Sequence, residues 1–330
     1  MDNSRIQSCR RSGFTLIELM IVIGIIGILS AVMLSTFGGA SDSALAAKCM
    51  TNLRNLSSAV YASASANSDG DMPCANSYEY FSSTTINERK GWISWLNMND
   101  AYGHRSKPTQ SCAQYAWTSY ATFPQGNKSE FDKSRFALTN GTVWAYVGRV
   151  AEVYTCPVHV KVCRAQNLIP SWSYVMNSLF GYDKKKGKTI KWCGQTLSGI
   201  HSVGGSGVKL GADKVLLFAE LPFLTIPQSS ANIQTDGVEL QGNTARFDCA
   251  LQYDDKTWSD AESIGFNHKS GKRYLAHVAY ADGHVAKLFL PKGASASDVK
   301  ELTTWLCQGD EVSFDGSRYE RVSQADANTK

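Results

Sequence analysis

Four residues in the last quarter of the chain, His268, His277, Asp282 and His284, form its densest run of groups able to shuttle a proton or ligate a metal. Two readings stand. In the first, imidazole and carboxylate converge on a metal ion. In the second, Asp282 and Gly283 serve turn geometry while His268 caps or packs against a hairpin. Alternation along a strand sends neighbouring side chains to opposite faces, and His277 and Asp282 lie at opposite ends of one arm, which favours the second. A further segment, Cys156-Pro157-Val158-His159-Val160-Lys161-Val162-Cys163, offers three zinc-type ligands. Its spacing matches no zinc pattern and supplies no fourth ligand, so, if the body is exported, a Cys156–Cys163 disulfide is the simpler expectation. No phosphate-binding glycine loop, nucleophile elbow or His-Glu-x-x-His helix occurs, and the chain is expected to be no enzyme and to need no cofactor. Calcium has no sequence support.

A carboxylate of a different kind sits near the N-terminus. Residues 1–13 are polar and basic, and from Phe14 the chain runs apolar for 24 residues, FTLIELMIVIGIIGILSAVMLSTF. As a helix that run spans roughly 36 Å, enough to cross a bilayer core. Arg5, Arg10 and Arg11 on its N-terminal side predict a cytoplasmic N-terminus and an exported body. Glu18 is the one charge inside the run, and a charge there normally has a partner. Cleavage after Gly13 would supply one. The new amine of Phe14 would lie about one helical turn from Glu18, within reach of a neighbouring subunit's Glu18. The plainer alternative is a carboxylate that snorkels to the interface.

Behind the apolar run, Leu45, Cys49, Leu53, Leu56 and Val60 recur at helical spacing, with Lys48, Asn52, Arg54 and Asn55 assigned to other faces. One long helix is expected, lipid- or filament-facing over 14–37 and amphipathic over 38–70, with Gly38-Gly39 marking the place for a bend. The body, 71–330, is rich in Gly, Ser, Asn and aromatics. Strands are expected at 150–154 and 214–221, and a hairpin at 275–280 and 284–290 around Ala281-Asp282-Gly283. A long helix followed by mainly antiparallel strands makes an α+β head. Residues 183–191 form a basic, solvated edge, and the polar tail from Ser323 is expected to fray.

The composition is that of a folded protein, 43% hydrophobic and 19% charged. Half of the net charge of +4 belongs to residues 1–13, so no nucleic-acid partner is expected. Eight cysteines remain beyond Cys9, and their even number in an exported body suggests disulfides that spacing cannot assign. Eight Trp and fourteen Tyr are many. Trp92, Trp95, Trp117 and Trp258 lie in polar sequence, where exposed rings could stack on sugars.

The string Arg11-Ser12-Gly13-Phe14-Thr15-Leu16-Ile17-Glu18-Leu19 resembles the processing site of type IV prepilins and type II secretion pseudopilins. The resemblance implies a pilin-like fold, cleavage after Gly13 by prepilin peptidase, methylation of Phe14 and an assembly role for Glu18. It also implies an inner-membrane precursor with a periplasmic head, and a filament subunit whose partners are lipid, the assembly platform, other pilin-like subunits and itself. The body resembles a branch of such proteins carrying a His–nine residues–Asp-Gly motif. Gly141-Thr142-Val143-Trp144 through Cys156-Pro157, Ser173-Tyr174-Val175-Met176-Asn177, Val215 to Glu220, and His268 with Asp282-Gly283-His284 match in order. Thirteen residues separate His268 from Asp282 here, which suggests a lengthened loop at 269–273, with His277 as the alternative partner. An alternative function is a membrane-anchored module whose aromatic head captures a polysaccharide or another surface ligand.

Overall fold

The computed structural model describes residues 14–68, 70–75, 78–81, 86–89, 91–94, 122–124, 135–165, 167–177, 180, 182–183, 188–189, 212–222, 227–228, 231–232, 250–251 and 263–322, with backbone alone at 31–41, 296 and the short ribbons. Two compact units result, residues 1–44 and 45–330.

Helix α1, Leu16–Ala66, runs through the boundary between them. Over residues 16–29 its side chains are apolar on every side except for Glu18, and Leu16, Ile17, Leu19, Met20, Ile21 and Ile23 are all exposed. The expected span over 14–37 is described in its side chains only through Ser30. Among the described residues no helix is long and apolar enough to cross a membrane.

In the second unit α1 is one wall of the core. Cys49, Leu53, Leu56 and Val60 are fully buried, as their spacing predicts, and each aliphatic side chain contributes roughly 1.5–3 kcal/mol. Asn52 departs from its predicted polar face. It is buried and its Nδ2 donates to the carbonyls of Thr155 (2.9 Å) and Glu152 (3.3 Å). Those carbonyls project from a 3₁₀ turn, Ala151–Tyr154, where the sequence predicted a strand. The apolar residues Val150, Val153 and Tyr154 read as a strand, but Thr155 ends the turn and helix α2, Pro157–Ala165, follows at once.

The sheet has six strands: β1 Tyr174–Asn177, β2 Leu216–Glu220, β3 Ala250–Leu251, β4 His268–Ser270, β5 Arg273–Tyr280 and β6 Val285–Phe289. Every pairing is antiparallel except that of β3 with β1. With its helices the sheet makes an α+β unit. β6 occupies one edge of β5, Leu275 facing Phe289 through Ala279 facing Val285. The other edge is shared. β4 takes Arg273 to Leu275, and β2 takes Val278 to Tyr280. The expected hairpin is therefore present, but no long loop follows His268. Residues 268–280 are themselves a hairpin with a tight Gly271-Lys272 turn, because Gly271 adopts φ +61°.

Helix α3, Ala296–Gln308, is closed by a capping box between Ser295 and Asp298 and ends at Gly309 in the left-handed conformation. It packs on the sheet face opposite α1, where the Asn177 amide donates to the carbonyls of Leu216 and Cys307, each at 2.9 Å. A β7–β8 ribbon, Val312–Phe314 with Tyr319–Arg321, follows. The tail from Ser323 and most of the basic segment 183–191 lie outside the described residues.

Candidate functional site

Two places concentrate chemistry. The first is the start of α1. Thr15 is its N-cap residue, and Glu18 stands three positions on. The Thr15 backbone N–H and hydroxyl donate to Glu18 Oε2 at 2.8 and 2.7 Å, and the Glu18 N–H donates to Thr15 Oγ1 at 3.3 Å. This reciprocal pair satisfies helix-end donors that have no intrahelical acceptor. Phe14 is 79% exposed just before it, and Gly13 lies outside the described residues.

The second place is buried in the other unit and follows from strand register. Ala219 faces Val278, so the next residue, Glu220, stands beside His277. Tyr174 faces Glu220 from the far side. His268 faces Leu275, two residues from His277 and hence on the same face of β5. Tyr174, Glu220, His277 and His268 thus project together toward α1, which inserts Cys49 among them.

Glu220 Oε1 is the hub. It lies 2.9 Å from His268 Nε2, 3.1 Å from His277 Nδ1 and 2.5 Å from Cys49 Sγ. Asn267 Nδ2 donates to Glu220 Oε2 (3.1 Å), the Tyr174 hydroxyl donates to Cys49 Sγ (3.3 Å), and Cys156 Sγ lies 3.5 Å from His268 Nε2. Cys49, Glu220 and His277 have no exposed surface and His268 has 2%. Burial alone would raise the Glu220 pKa, but the two imidazoles overcome it and hold the carboxyl at about 2. Burial likewise opposes the charge on His268, and the Glu220 carboxylate prevails, lifting it to about 10. Burial pushes the Cys49 thiol well above its ordinary range. The outer nitrogens, His268 Nδ1 and His277 Nε2, are buried without an acceptor among the described residues. One ligand atom from each of Cys49, Glu220, His268 and His277 lies within 4.8 Å of all the others, so these four could hold a metal.

Of the histidine and aspartate residues the sequence grouped together, the fold unites His268 with His277 and sends Asp282 and His284 elsewhere. Those two organise the β5–β6 turn. Asp282 Oδ1 accepts from the His284 N–H (3.0 Å) and lies 2.6 Å from its Nδ1, while the His284 ring stacks on Tyr280. Gly283 takes φ +90°, which the turn requires, and the Tyr61 hydroxyl of α1 donates to the Ala281 carbonyl.

The expected Cys156–Cys163 disulfide is corrected, because both residues carry free thiols. The Val160 N–H donates to the Cys156 carbonyl at 3.0 Å, so Cys156 is the N-cap of the helix that carries Cys163. Seven residues of helix separate the pair by roughly 10 Å, beyond the ~7 Å limit between bridged Cα atoms. Trp92 is also corrected, from an exposed ring to a fully buried one, stacked on Tyr154 at 5.6 Å with its edge against Phe218. Trp95, Trp117 and Trp258 lie outside the described residues.

Glu220 and Cys49 were not picked out as site residues by the sequence, and Cys156 only as a zinc-type ligand or disulfide partner of Cys163. The signal for Glu220 was an acid closing the otherwise apolar strand Leu216–Glu220. For Cys49 it was a thiol on the buried stripe of α1.

Against known families, residues 8–34 match the prokaryotic N-terminal methylation motif. No curated protein and no solved structure matches the chain. The match supports a prepilin-type N-terminus, and such a motif in general implies processing by prepilin peptidase and assembly with other pilin subunits.

Proposed function

We propose that the chain is a structural subunit of a type IV pilus-like or type II secretion pseudopilus filament, with a pilin-like fold and no catalytic role. One observation carries the reading: under a methylation motif, residues 16–29 of α1 expose large apolar side chains on all sides around a single carboxylate, Glu18. A helix apolar all round is suited to lipid or to the core of a helical bundle. Prepilin peptidase cuts after Gly13 and Phe14 is methylated. The precursor sits in the inner membrane with its head in the periplasm. On assembly the helices exchange lipid for neighbouring helices, and Glu18 neutralises the Phe14 amine of an adjacent subunit.

The test is to shear surface filaments from the native host and measure the mass of the N-terminal peptide in filament and membrane fractions. A peptide beginning at methylated Phe14 in the sheared fraction supports processing and assembly together. A peptide beginning at Met1 and confined to membranes would refute both.

A further inference from the structure

We propose that Cys49, Glu220, His268 and His277 form a structural zinc(II) site that fastens α1 to the sheet. This inference is independent of how the N-terminal helix is used.

The donors select the ion. One thiolate, two imidazoles and one carboxylate suit zinc, whereas calcium takes oxygen alone. Bonds of about 2.0–2.3 Å in a tetrahedron place ligand atoms about 3.3–3.8 Å apart. The cluster spans 2.5 to 4.8 Å between such atoms, so small side-chain shifts reach that geometry without moving the backbone.

Hydrogen-bond arithmetic points the same way. A carboxylate oxygen has two lone pairs, yet Glu220 Oε1 faces Cys49 Sγ, His268 Nε2 and His277 Nδ1 together. Two lone pairs accept at most two protons, so the three groups cannot all be satisfied there as donors. A cation at the centre lets all four atoms offer lone pairs to it. An imidazolium at His268 would also bury a charged N–H at Nδ1 with no acceptor, while a zinc-bound ring leaves that N–H on a neutral group. The charges close: Cys⁻ and Glu⁻ balance Zn²⁺, as a buried site needs.

The supporting shell is in place. Asn267 fixes the second carboxylate oxygen and the Tyr174 hydroxyl donates to the Cys49 sulfur. Cys156 stands beside His268 as an outer neighbour rather than a ligand.

The test uses the full chain in detergent, without a polyhistidine tag or chelator, and measures zinc by elemental mass spectrometry. The protein is then stripped and titrated with cobalt(II). About one zinc per chain is expected. Cobalt should give tetrahedral visible bands and a near-ultraviolet sulfur-to-cobalt charge-transfer band. Cys49→Ser should abolish the charge-transfer band, His277→Gln should weaken cobalt affinity by more than about tenfold, and Cys163→Ser should change neither. A natively folded wild-type chain that takes up neither metal overturns the site. Persistence of the charge-transfer band in Cys49→Ser overturns the ligand assignment. Should the variants fail to fold, metal content and spectrum of the wild type decide alone.

Discussion

The Glu18 carboxylate meets Thr15 twice through one oxygen, 2.8 Å from its backbone nitrogen and 2.7 Å from its hydroxyl, while Oε1 has no partner among the described residues. One oxygen closes the helix end and the other can face a neighbour's amine. Helix capping and subunit registration therefore need not compete for the same lone pairs.

This separates two substitutions. Thr15→Ala removes the cap at a cost of about 1 kcal/mol and should still be cleaved and incorporated into filaments. Glu18→Ala should insert and be cleaved but fail to enter the sheared fraction. Immunoblots of sheared and membrane fractions check both, and equal incorporation of Glu18→Ala would remove the pairing role.

His159 gives the unit an acid limit. It is buried against Ser173 (Nδ1 to Oγ, 2.7 Å), and burial drives its pKa down to about 3 despite the nearby Glu220 charge. The unfolded imidazole titrates near 6.5, so the unfolded state binds the proton first. Stability is complete above about pH 6.5 and falls by about 1.4 kcal/mol per unit toward pH 3. Denaturant midpoints against pH should show this slope flattened in His159→Gln.

Asn52 bolts α1 to the 3₁₀ turn. Asn52→Leu takes the amide donor from the part-buried Thr155 carbonyl, while the Glu152 carbonyl keeps the Thr155 N–H and hydroxyl, and should cost about 1 kcal/mol. A lowered urea midpoint with unchanged slope is the expected reading.

Thiol chemistry checks the corrected disulfide. In denaturant without reductant, iodoacetamide should label Cys49, Cys156 and Cys163 fully, provided bound metal is first removed. Peptide mass mapping would expose a Cys156–Cys163 bridge as a linked, unlabelled pair.

Local pattern explains what could be read in advance. The Asp282-Gly283 turn and the buried stripe Cys49, Leu53, Leu56 and Val60 each depend on neighbours in sequence. The cluster does not. Glu220 and His277 meet because Ala219 pairs with Val278, and Cys49 joins them across 171 residues, a relation that spacing cannot encode. Asn52 was misassigned for a similar reason: its partners are carbonyls of a distant turn, invisible to hydropathy. Residues 150–154 failed locally, since a short apolar run satisfies a strand and a 3₁₀ turn equally well.

The buried stripe of α1 also limits how a cell could release this protein. A protease cutting near residue 70 would carry away Cys49, Leu53, Leu56 and Val60 with the stalk and strip one wall from the core. What came free would be a collapsing, aggregation-prone remnant, not a soluble head. Only scission upstream of Leu45 leaves the folded unit whole, so any natural shedding must operate at or before that point.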